Sequence, residues 1–456
     1  MPIHKGDLIE VQFTGLSYKG YGLARYDGRE VSAMGALPGE RAEIRVLRKP
    51  RHRLVGEIVR TISSPFDRPA PRCEHFGVCG GCWGQNVAYE DQLRLKEQIV
   101  RGYLNPLAKE EAFSPILPAP NNWAYRNKME FSFDRGPEGA FQLGLHWRGR
   151  FDQLFDLNTC PIAPPIFSEI VCFVRAFAQE HGLPVYDQRR KEGLLRFLTI
   201  REGRRTGEIM VALTATRRDV AFEAMAEALM AQFPAIRSVL FVLNSTLGQI
   251  AYGSEEAVLG GSQTIRETLR VKDVEHTFAL SFRSFLQTNT HAAERLYEIV
   301  LDRAHLSGEE RVLDVFCGIG TITAFLARKA REVVGVEMIS DAVENARTNM
   351  ATNGIGNVDF MVGPAEKVLR DLEGAFDVVV TDPPRAGIHP KALRRLIELA
   401  APRFVYVSCN PKTLADDIRI LREIYTVKNV QPVDLFPHTP HVETVVEMTA
   451  KQKDKR

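Results

Sequence analysis

Ser408-Cys409-Asn410-Pro411 follows the apolar run Phe404-Val405-Tyr406-Val407. A thiol is thereby placed where a buried strand ends and a turn begins, and the amides of such a turn lower a thiol pKa. Further on comes Pro437-His438-Thr439-Pro440-His441-Val442-Glu443. A thiolate and a carboxylate together suit one demanding reaction, alkylation of carbon 5 of a uracil. That carbon is a poor nucleophile until a thiolate adds to carbon 6 and turns the ring into an enolate. Once the alkyl group is on, a base must remove the carbon-5 proton so that elimination frees the enzyme. Cys409 would be the nucleophile and Glu443 the base. Taken singly, most cysteines are small core residues and a lone glutamate is a surface carboxylate, so the pairing carries the weight. His438 and His441 read as structural or substrate-positioning residues, because no cysteine or carboxylate set surrounds them.

The alkyl donor has its own signature. Val312-Leu313-Asp314-Val315-Phe316-Cys317-Gly318-Ile319-Gly320 reads as a strand turning into a cofactor loop. Gly318 and Gly320 let the backbone pass close to a ligand. Glu337, ending the next strand Val333-Val334-Gly335-Val336, has the spacing of an acidic residue that binds ribose hydroxyls. G-x-G alone is a weak signal. The third glycine of dinucleotide binders is missing, and Asp314 precedes the loop, which fits S-adenosylmethionine. Asp382-Pro383-Pro384 ends a later strand and is followed by Arg385, where enzymes that methylate exocyclic amines place an aromatic ring. An arginine fork there holds a carbonyl, phosphate or carboxylate.

Cys73, Cys79 and Cys82 fall in a glycine-rich loop, and Cys160 precedes Pro161. Close spacing, small neighbours and a remote cysteine before proline favour a [4Fe–4S] cluster. Zinc is the alternative, although zinc sites usually come as two C-x2-C pairs. Cys172 and Cys317 read as core or loop-lining residues.

These groups need elements to hold them. At 456 residues, with 45% hydrophobic and 25% charged residues, the chain can bury the cores of about three domains. No apolar run suits a signal peptide or a membrane span, so a cytoplasmic setting is expected, with thiols rather than disulfides. No obligate protein partner is evident. Net charge is only +2, yet residues 1–62 carry 11 Lys/Arg against 7 Asp/Glu. Arg45, Arg48, Lys49, Arg51 and Arg53 form either a phosphate-binding cluster or a solvated hairpin tip. Short strands such as Asp7–Val11, Tyr18–Gly22 and Ala42–Val46, with glycine-rich turns, predict a small oligonucleotide-binding-type barrel over 1–62. Residues 63–285 predict a central, strand-dominated α+β domain with a helix at Val220–Phe233. Its helical segment near 89–120 is a candidate to pack on the catalytic domain. From 286 to 456, strands and helices alternate as in a doubly wound, Rossmann-like parallel sheet, and the Lys451–Arg456 tail reads as frayed.

In combination these motifs resemble the RNA 5-methyluridine methyltransferases, above all the iron–sulfur, TRAM-containing 23S rRNA (uracil-5-)-methyltransferases. The likeness runs through the barrel, the cysteine set, Tyr125-Arg126-Asn127-Lys128 and Ser284-Phe285-Leu286-Gln287-Thr288-Asn289. It continues through Asp314–Gly320, Asp382–Arg385, Ser408–Pro411 and His441–Glu443. The resemblance implies that Cys409 is the nucleophile and Glu443 the proton acceptor. Gln287, Phe316, Thr321, Glu337 and Asp382 would line the S-adenosylmethionine site, and Cys73, Cys79, Cys82 and Cys160 would hold the cluster. RNA, with 23S rRNA favoured, would be the substrate. Thr321 stands where the family often has Asn. Pro364 stands where an adenine contact is usual and offers no side-chain donor or acceptor. The rivals are the same chemistry on transfer RNA and a non-catalytic RNA-binding iron–sulfur protein.

Overall fold

The computed structural model describes residues 3–48, 50, 53–136 and 139–452. Lys49 and Arg51 of the basic cluster, and residues 453–456 of the tail, lie outside the described residues. Five strands, β1 (Leu8–Leu16), β2 (Tyr21–Tyr26), β3 (Arg29–Met34), β4 (Arg41–Arg48) and β5 (Arg53–Ser63), close into a barrel in the order β1-β2-β3-β5-β4. Alternation does the closing. Ile9, Val11 and Phe13 of β1 and Ala42, Ile44 and Val46 of β4 are buried, and the residues between them face outward. Tyr18-Lys19-Gly20, expected within a strand, is instead the β1–β2 turn. Gly20 takes φ 80° there and donates its amide to Ser17 O at 2.9 Å, a reversal that glycine makes without strain.

Helix α1 (Tyr89–Leu104) is the joint of the molecule. Leu95 packs with Trp83, Val87 and the barrel's Leu37. Val100 and Leu104 pack with Leu313 and Val315 of the C-terminal sheet. One helix thus buries apolar residues against both ends of the chain, at about 1.5–3 kcal/mol for each large side chain.

The central sheet comprises β6 (Lys128–Arg135), β7 (Phe141–Trp147), β8 (Arg150–Asp156), β9 (Leu195–Glu202), β10 (Ile209–Ala215), β11 (Ile236–Leu243) and β12 (Glu255–Gly261), in the order β12-β11-β10-β9-β6-β7-β8. α2 (Pro165–Glu180) and α3 (Ala221–Gln232) cover it. α2 is absent from the pattern expected here, yet it has its own signature: Pro165 in the first turn, then Phe167, Ile170, Val171, Val174 and Ala178 on one buried face. Cys172, expected in the core or lining a loop, is exposed on this helix. A hairpin, β13 (Ile265–Val271) and β14 (Val274–Leu280), leads onward.

The C-terminal sheet holds β15 (Arg311–Val315), β16 (Glu332–Glu337), β17 (Val358–Val362), β18 (Val378–Thr381), β19 (Arg403–Ser408), β20 (Tyr425–Val433) and β21 (Glu443–Ala450), in the order β17-β16-β15-β18-β19-β21-β20. α4 (Thr290–Ala304), α5 (Thr321–Ala327), α6 (Ser340–Thr352), α7 (Ala365–Val368), α8 (Pro390–Leu399) and α9 (Pro411–Leu421) flank it. The sheet is doubly wound, with its switch point between β15 and β18. It is not wholly parallel, because β21 runs antiparallel to both β19 and β20. β20 escapes the apolar pattern because Lys428, Asn429, Gln431 and Pro432 interrupt it. Among the described residues no helix is long and apolar enough to cross a membrane.

Candidate active site

The reversed strand builds the site. Ser408 of β19 pairs with Thr444 of β21 in antiparallel register. Cys409, one residue past the end of β19, and Glu443, the first residue of β21, therefore emerge at the same edge. This is the edge where the other parallel strands end, so Phe316, Glu337 and Asp382 open onto the same crevice.

The turn holding Cys409 is tied down on both sides. Asn410 caps α9 by accepting from Lys412 N at 3.2 Å, and Pro411 fills the first helical position. The Asn410 side chain donates to Arg385 O at 2.9 Å, and Thr413 Oγ1 reaches the same carbonyl at 3.3 Å. These bonds draw the Asp382–Arg385 loop against the thiol. Burial pushes the Cys409 thiol up to about 12, Glu443 and Asp382 add to that, and Arg385 opposes it. The turn amides were expected to lower this thiol, but its burial outweighs them.

Glu443 is 1% exposed, and among the described residues its Oε2 has no hydrogen-bond partner. Burial, then Asp382, drives its carboxyl well above the usual range, with Arg385 pulling the other way. An unpaired buried carboxyl beside a raised thiol is costly to the fold. It suits a group poised to exchange a proton. His441 is held neutral, down at about 4, by burial and then by Arg385, Lys96 and Arg126.

The donor crevice is equally ordered. Phe316 takes φ 67°, and its amide donates to Val336 O at 2.8 Å. Glu337 accepts from Gly318 N at 3.1 Å, Met338 N at 2.7 Å and Ile339 N at 2.9 Å, so its carboxylate fixes the rim of the loop. A Cβ on Gly318 would meet nothing within 4 Å, leaving that face free for a ligand. Gly320 takes φ 80°, a backbone that favours glycine, and a Cβ there would also come 3.0 Å from Met350 Cε and 3.3 Å from Ala346 Cβ. Thr323 Oγ1 donates to buried Asp314 at 2.5 Å, while burial pushes Asp314 up to about 7. Asp382 also rises to about 7, by burial and then Asp314, although the Gln287 side chain donates to it. Thr321 Oγ1 lies 3.4 Å from Tyr297 OH. The crevice thus brings together Gln287, Phe316, Thr321, Glu337 and Asp382. Pro364 instead precedes α7 as its cap residue.

Two residues of the central domain brace this arrangement. Asn127 Nδ2 donates to Gln287 O at 3.2 Å and Thr290 Oγ1 at 2.9 Å, and Tyr125 OH donates to Pro437 O at 2.9 Å. The buried pair Lys96–Asp434 is a positioning element that the sequence did not reveal, because its partners lie 338 positions apart.

Cys73, Cys79, Cys82 and Cys160 all line one cavity of ≈ 560 Å³, with Arg126 and His146 also on its wall. Burial raises every one of these thiols. Cys82 reaches about 12, raised further by Cys160, Cys79 and Cys73, and Cys160 about 11, raised further by Cys79 and Cys73. Arg148 donates to the carbonyls of Cys79 and Cys82 and shapes the loop. Among the described residues no group of three or more His, Cys, Asp or Glu is arranged to hold a single metal ion.

A doubly wound sheet with a reversed last strand, a G-x-G crevice and a thiol–carboxylate pair at its edge defines a methyltransferase fold with an attached barrel and central domain. Residues 88–451 match the family model described as tRNA (Uracil-5-)-methyltransferase. An uncharacterized RNA methyltransferase of Porphyromonas gingivalis is 38% identical, over 96% of this chain and 98% of its own. Another, from Caldanaerobacter subterraneus, is 36% identical over 97% and 98%. The crystal structure of Pyrococcus abyssi tRNA (uracil-54, C5)-methyltransferase in complex with S-adenosyl-L-homocysteine superposes with a TM-score of 0.76. It is 27% identical and covers 97% of this chain and 100% of its own. The chain belongs to the tRNA (uracil-5-)-methyltransferase family. It is an S-adenosylmethionine-dependent enzyme that methylates carbon 5 of uracil in RNA, which sets aside the non-catalytic alternative.

Proposed function

We propose that methylation proceeds through a covalent adduct between Cys409 and a uridine, resolved by Glu443. The register that sets these two residues at one sheet edge carries this reading. Cys409 loses its proton to solvent, and the thiolate sulfur then adds to carbon 6. The ring's enolate then takes the sulfonium methyl group onto carbon 5, and S-adenosylhomocysteine leaves. Glu443 as carboxylate removes the carbon-5 proton, the C–H electron pair forms the 5,6 double bond, and the C6–S pair returns to sulfur. Arg385 stabilises both the thiolate and the carboxylate. Glu337 and Asp382 hold the polar groups of the donor, with Gln287, Phe316 and Thr321 lining its crevice. The target base has to leave its stack, since a thiol cannot reach carbon 6 inside a helix.

The four thiols suit a [4Fe–4S] cluster: the donors are soft and they converge on one cavity. When bound, such a cluster supplies a rigid covalent hub, and a sulfonium methyl transfer requires no electron from it. Seven free cysteines support a cytoplasmic setting. We also take 1–62, 63–285 and 286–456 as the working domains, the first TRAM-like and RNA-binding.

Two readings of the RNA stand. The barrel and the cysteine segment favour a large folded RNA, 23S rRNA. Transfer RNA is supported by the likeness to a transfer-RNA enzyme that spans 97% of this chain. Mapping 5-methyluridine by mass spectrometry with and without the gene separates them: loss from 23S rRNA supports the first, and loss from tRNA the second. Incubation with 5-fluorouridine RNA and S-adenosylmethionine tests the mechanism. A denaturation-resistant complex is expected with the parent and not with Cys409→Ser, and equal trapping by both would overturn the assignment.

A further inference from the structure

The turn that leads into Glu443 is gripped by the segments that carry the cysteines. The amides of Trp83 and Gly84, immediately after Cys82, donate to His438 O at 2.6 and 3.0 Å. Arg72, immediately before Cys73, lies 4.7 Å over the Trp123 ring. That ring stacks on the His438 imidazole at 3.8 Å. After Cys160, the carbonyls of Pro161 and Ile162 each accept at 2.9 Å from Ala124 and Arg126, flanking the Tyr125 whose hydroxyl holds Pro437 O. Three of the four cysteines are therefore one or two contacts from the Pro437-His438 turn.

His438 is constrained beyond what packing requires. It is 3% exposed with φ 65°, a left-handed backbone that residues with a Cβ adopt at a cost. Gln92 Oε1 accepts its amide at 2.9 Å, and Gln92 Nε2 lies 3.2 Å from its Nδ1. Burial, then Lys96, hold the ring neutral, down at about 4. The chain from His438 to Glu443 is ordered in turn: Thr439 Oγ1 donates to Phe436 O at 2.7 Å and accepts from His441 N at 3.3 Å.

We propose that His438 is a positioning residue for Glu443, and that the cysteine-bearing segments act through it to set the elimination step. This rests on Glu443 being the base. Cys409 lies off this path, because its turn is tied to Arg385 through Asn410 and Thr413. Loosening His438 therefore leaves addition and methyl transfer in place and slows removal of the carbon-5 proton. The methylated adduct, still joined through C6–S, accumulates.

The test compares His438→Ala, His438→Asn, Trp123→Leu, Trp123→Phe and Glu443→Gln on ordinary RNA with S-adenosylmethionine. The readouts are denaturation-resistant adduct at steady state, kcat, KM for each substrate and tryptophan emission. All three tryptophans, Trp83, Trp123 and Trp147, border the cysteine segments, so emission reports on the clamp. His438→Ala and Trp123→Leu are expected to shift the emission, raise the adduct about tenfold and lower kcat about tenfold, with KM values within twofold. His438→Asn, which tolerates the left-handed backbone, and Trp123→Phe, which keeps a stacking ring, should restore most of the turnover. Adduct levels like the parent's in His438→Ala and Trp123→Leu, with Glu443→Gln accumulating adduct, overturn the proposal while leaving the base intact. No accumulation in Glu443→Gln itself removes the base assignment and this proposal with it.

Discussion

Lys96 Nζ lies 2.6 Å from Asp434 Oδ1, and both side chains are wholly buried. Lys96 also donates to Phe436 O at 2.9 Å, and Tyr89 OH donates to the other oxygen of Asp434 at 2.9 Å. Burial pulls the lysine down, and the charge of Asp434 pulls it back up. Removing one partner leaves a charge stranded in apolar surroundings, which costs far more than exchanging both. Lys96→Ala should destabilise the protein by about 3–5 kcal/mol. Lys96→Met combined with Asp434→Asn should recover most of that, since the side-chain amide introduced at the second position keeps an acceptor for Tyr89. Denaturant midpoints decide. A single-mutant cost below about 1 kcal/mol would show that the pair anchors nothing.

Asp314 carries a cost of the opposite sign. Burial raises its carboxyl to about 7 against the Thr323 hydrogen bond, with Glu337 adding to the rise. A carboxyl raised in the folded state contributes stability that is complete below its unfolded pKa, near 4. That stability is lost as pH climbs through about 7. Asp314→Asn should remove this slope. Its melting temperature should match the parent's at pH 4 and exceed it at pH 8, where the gain is up to about 4 kcal/mol. A variant no more stable at pH 8 than at pH 4, relative to the parent, would contradict the burial argument.

The barrel is seated more firmly than a loosely attached RNA-binding module. Gly20 abuts Trp83 and Pro440: a Cβ there would come 2.8 Å from the first and 3.0 Å from the second. Neutralising charges is therefore a cleaner probe than deleting the barrel. Arg45 pairs with exposed Glu57 at 3.4 Å, and Arg53 Nε donates to Ser32 Oγ at 3.2 Å, interactions too weak to occupy the guanidinium groups fully. Replacing Arg45, Arg48, Lys49, Arg51 and Arg53 with Gln should weaken RNA binding and reduce the salt slope by about 0.7–0.9 for every phosphate no longer neutralised. kcat at saturating RNA should hold. An unchanged slope would assign the cluster to a solvated hairpin tip.

How far the residues alone reveal this molecule depends on sequence distance. Cys409, Glu337 and Asp382 each end a short apolar run, so their place at the sheet edge is a local signal that survives without the structure. The antiparallel turn of β21 is not local, and it decides that Glu443 faces Cys409 rather than the opposite edge. β20 was hidden because polar residues interrupt its apolar run at the outer strand of the sheet. The Lys96–Asp434 pair and the His438 clamp are pairings across more than 300 positions, set by how α1 docks and not by any spacing. Gly320 is not a local signal of ligand contact alone: its left-handed backbone at φ 80° favours glycine whatever lies near it.

The raised thiol yields the sharpest chemical test. Burial is the main cause of the shift of Cys409 to about 12, followed by the negative charge of Glu443, with Arg385 opposing. In the absence of RNA, the thiolate at pH 8 is then on the order of one molecule in ten thousand. Alkylation of Cys409 by iodoacetamide, followed by peptide mass spectrometry to separate it from the other cysteines, should rise about tenfold per pH unit from 7 to 10 without a plateau. Arg385→Gln removes an opposing positive charge, so it should raise the thiol further and slow alkylation. Glu443→Gln removes the carboxylate's negative charge, lowers the thiol and should speed alkylation. The two variants must move the rate in opposite directions. A plateau near pH 8–9 in the parent, or both variants moving together, would mean that desolvation and the carboxylate do not govern this sulfur.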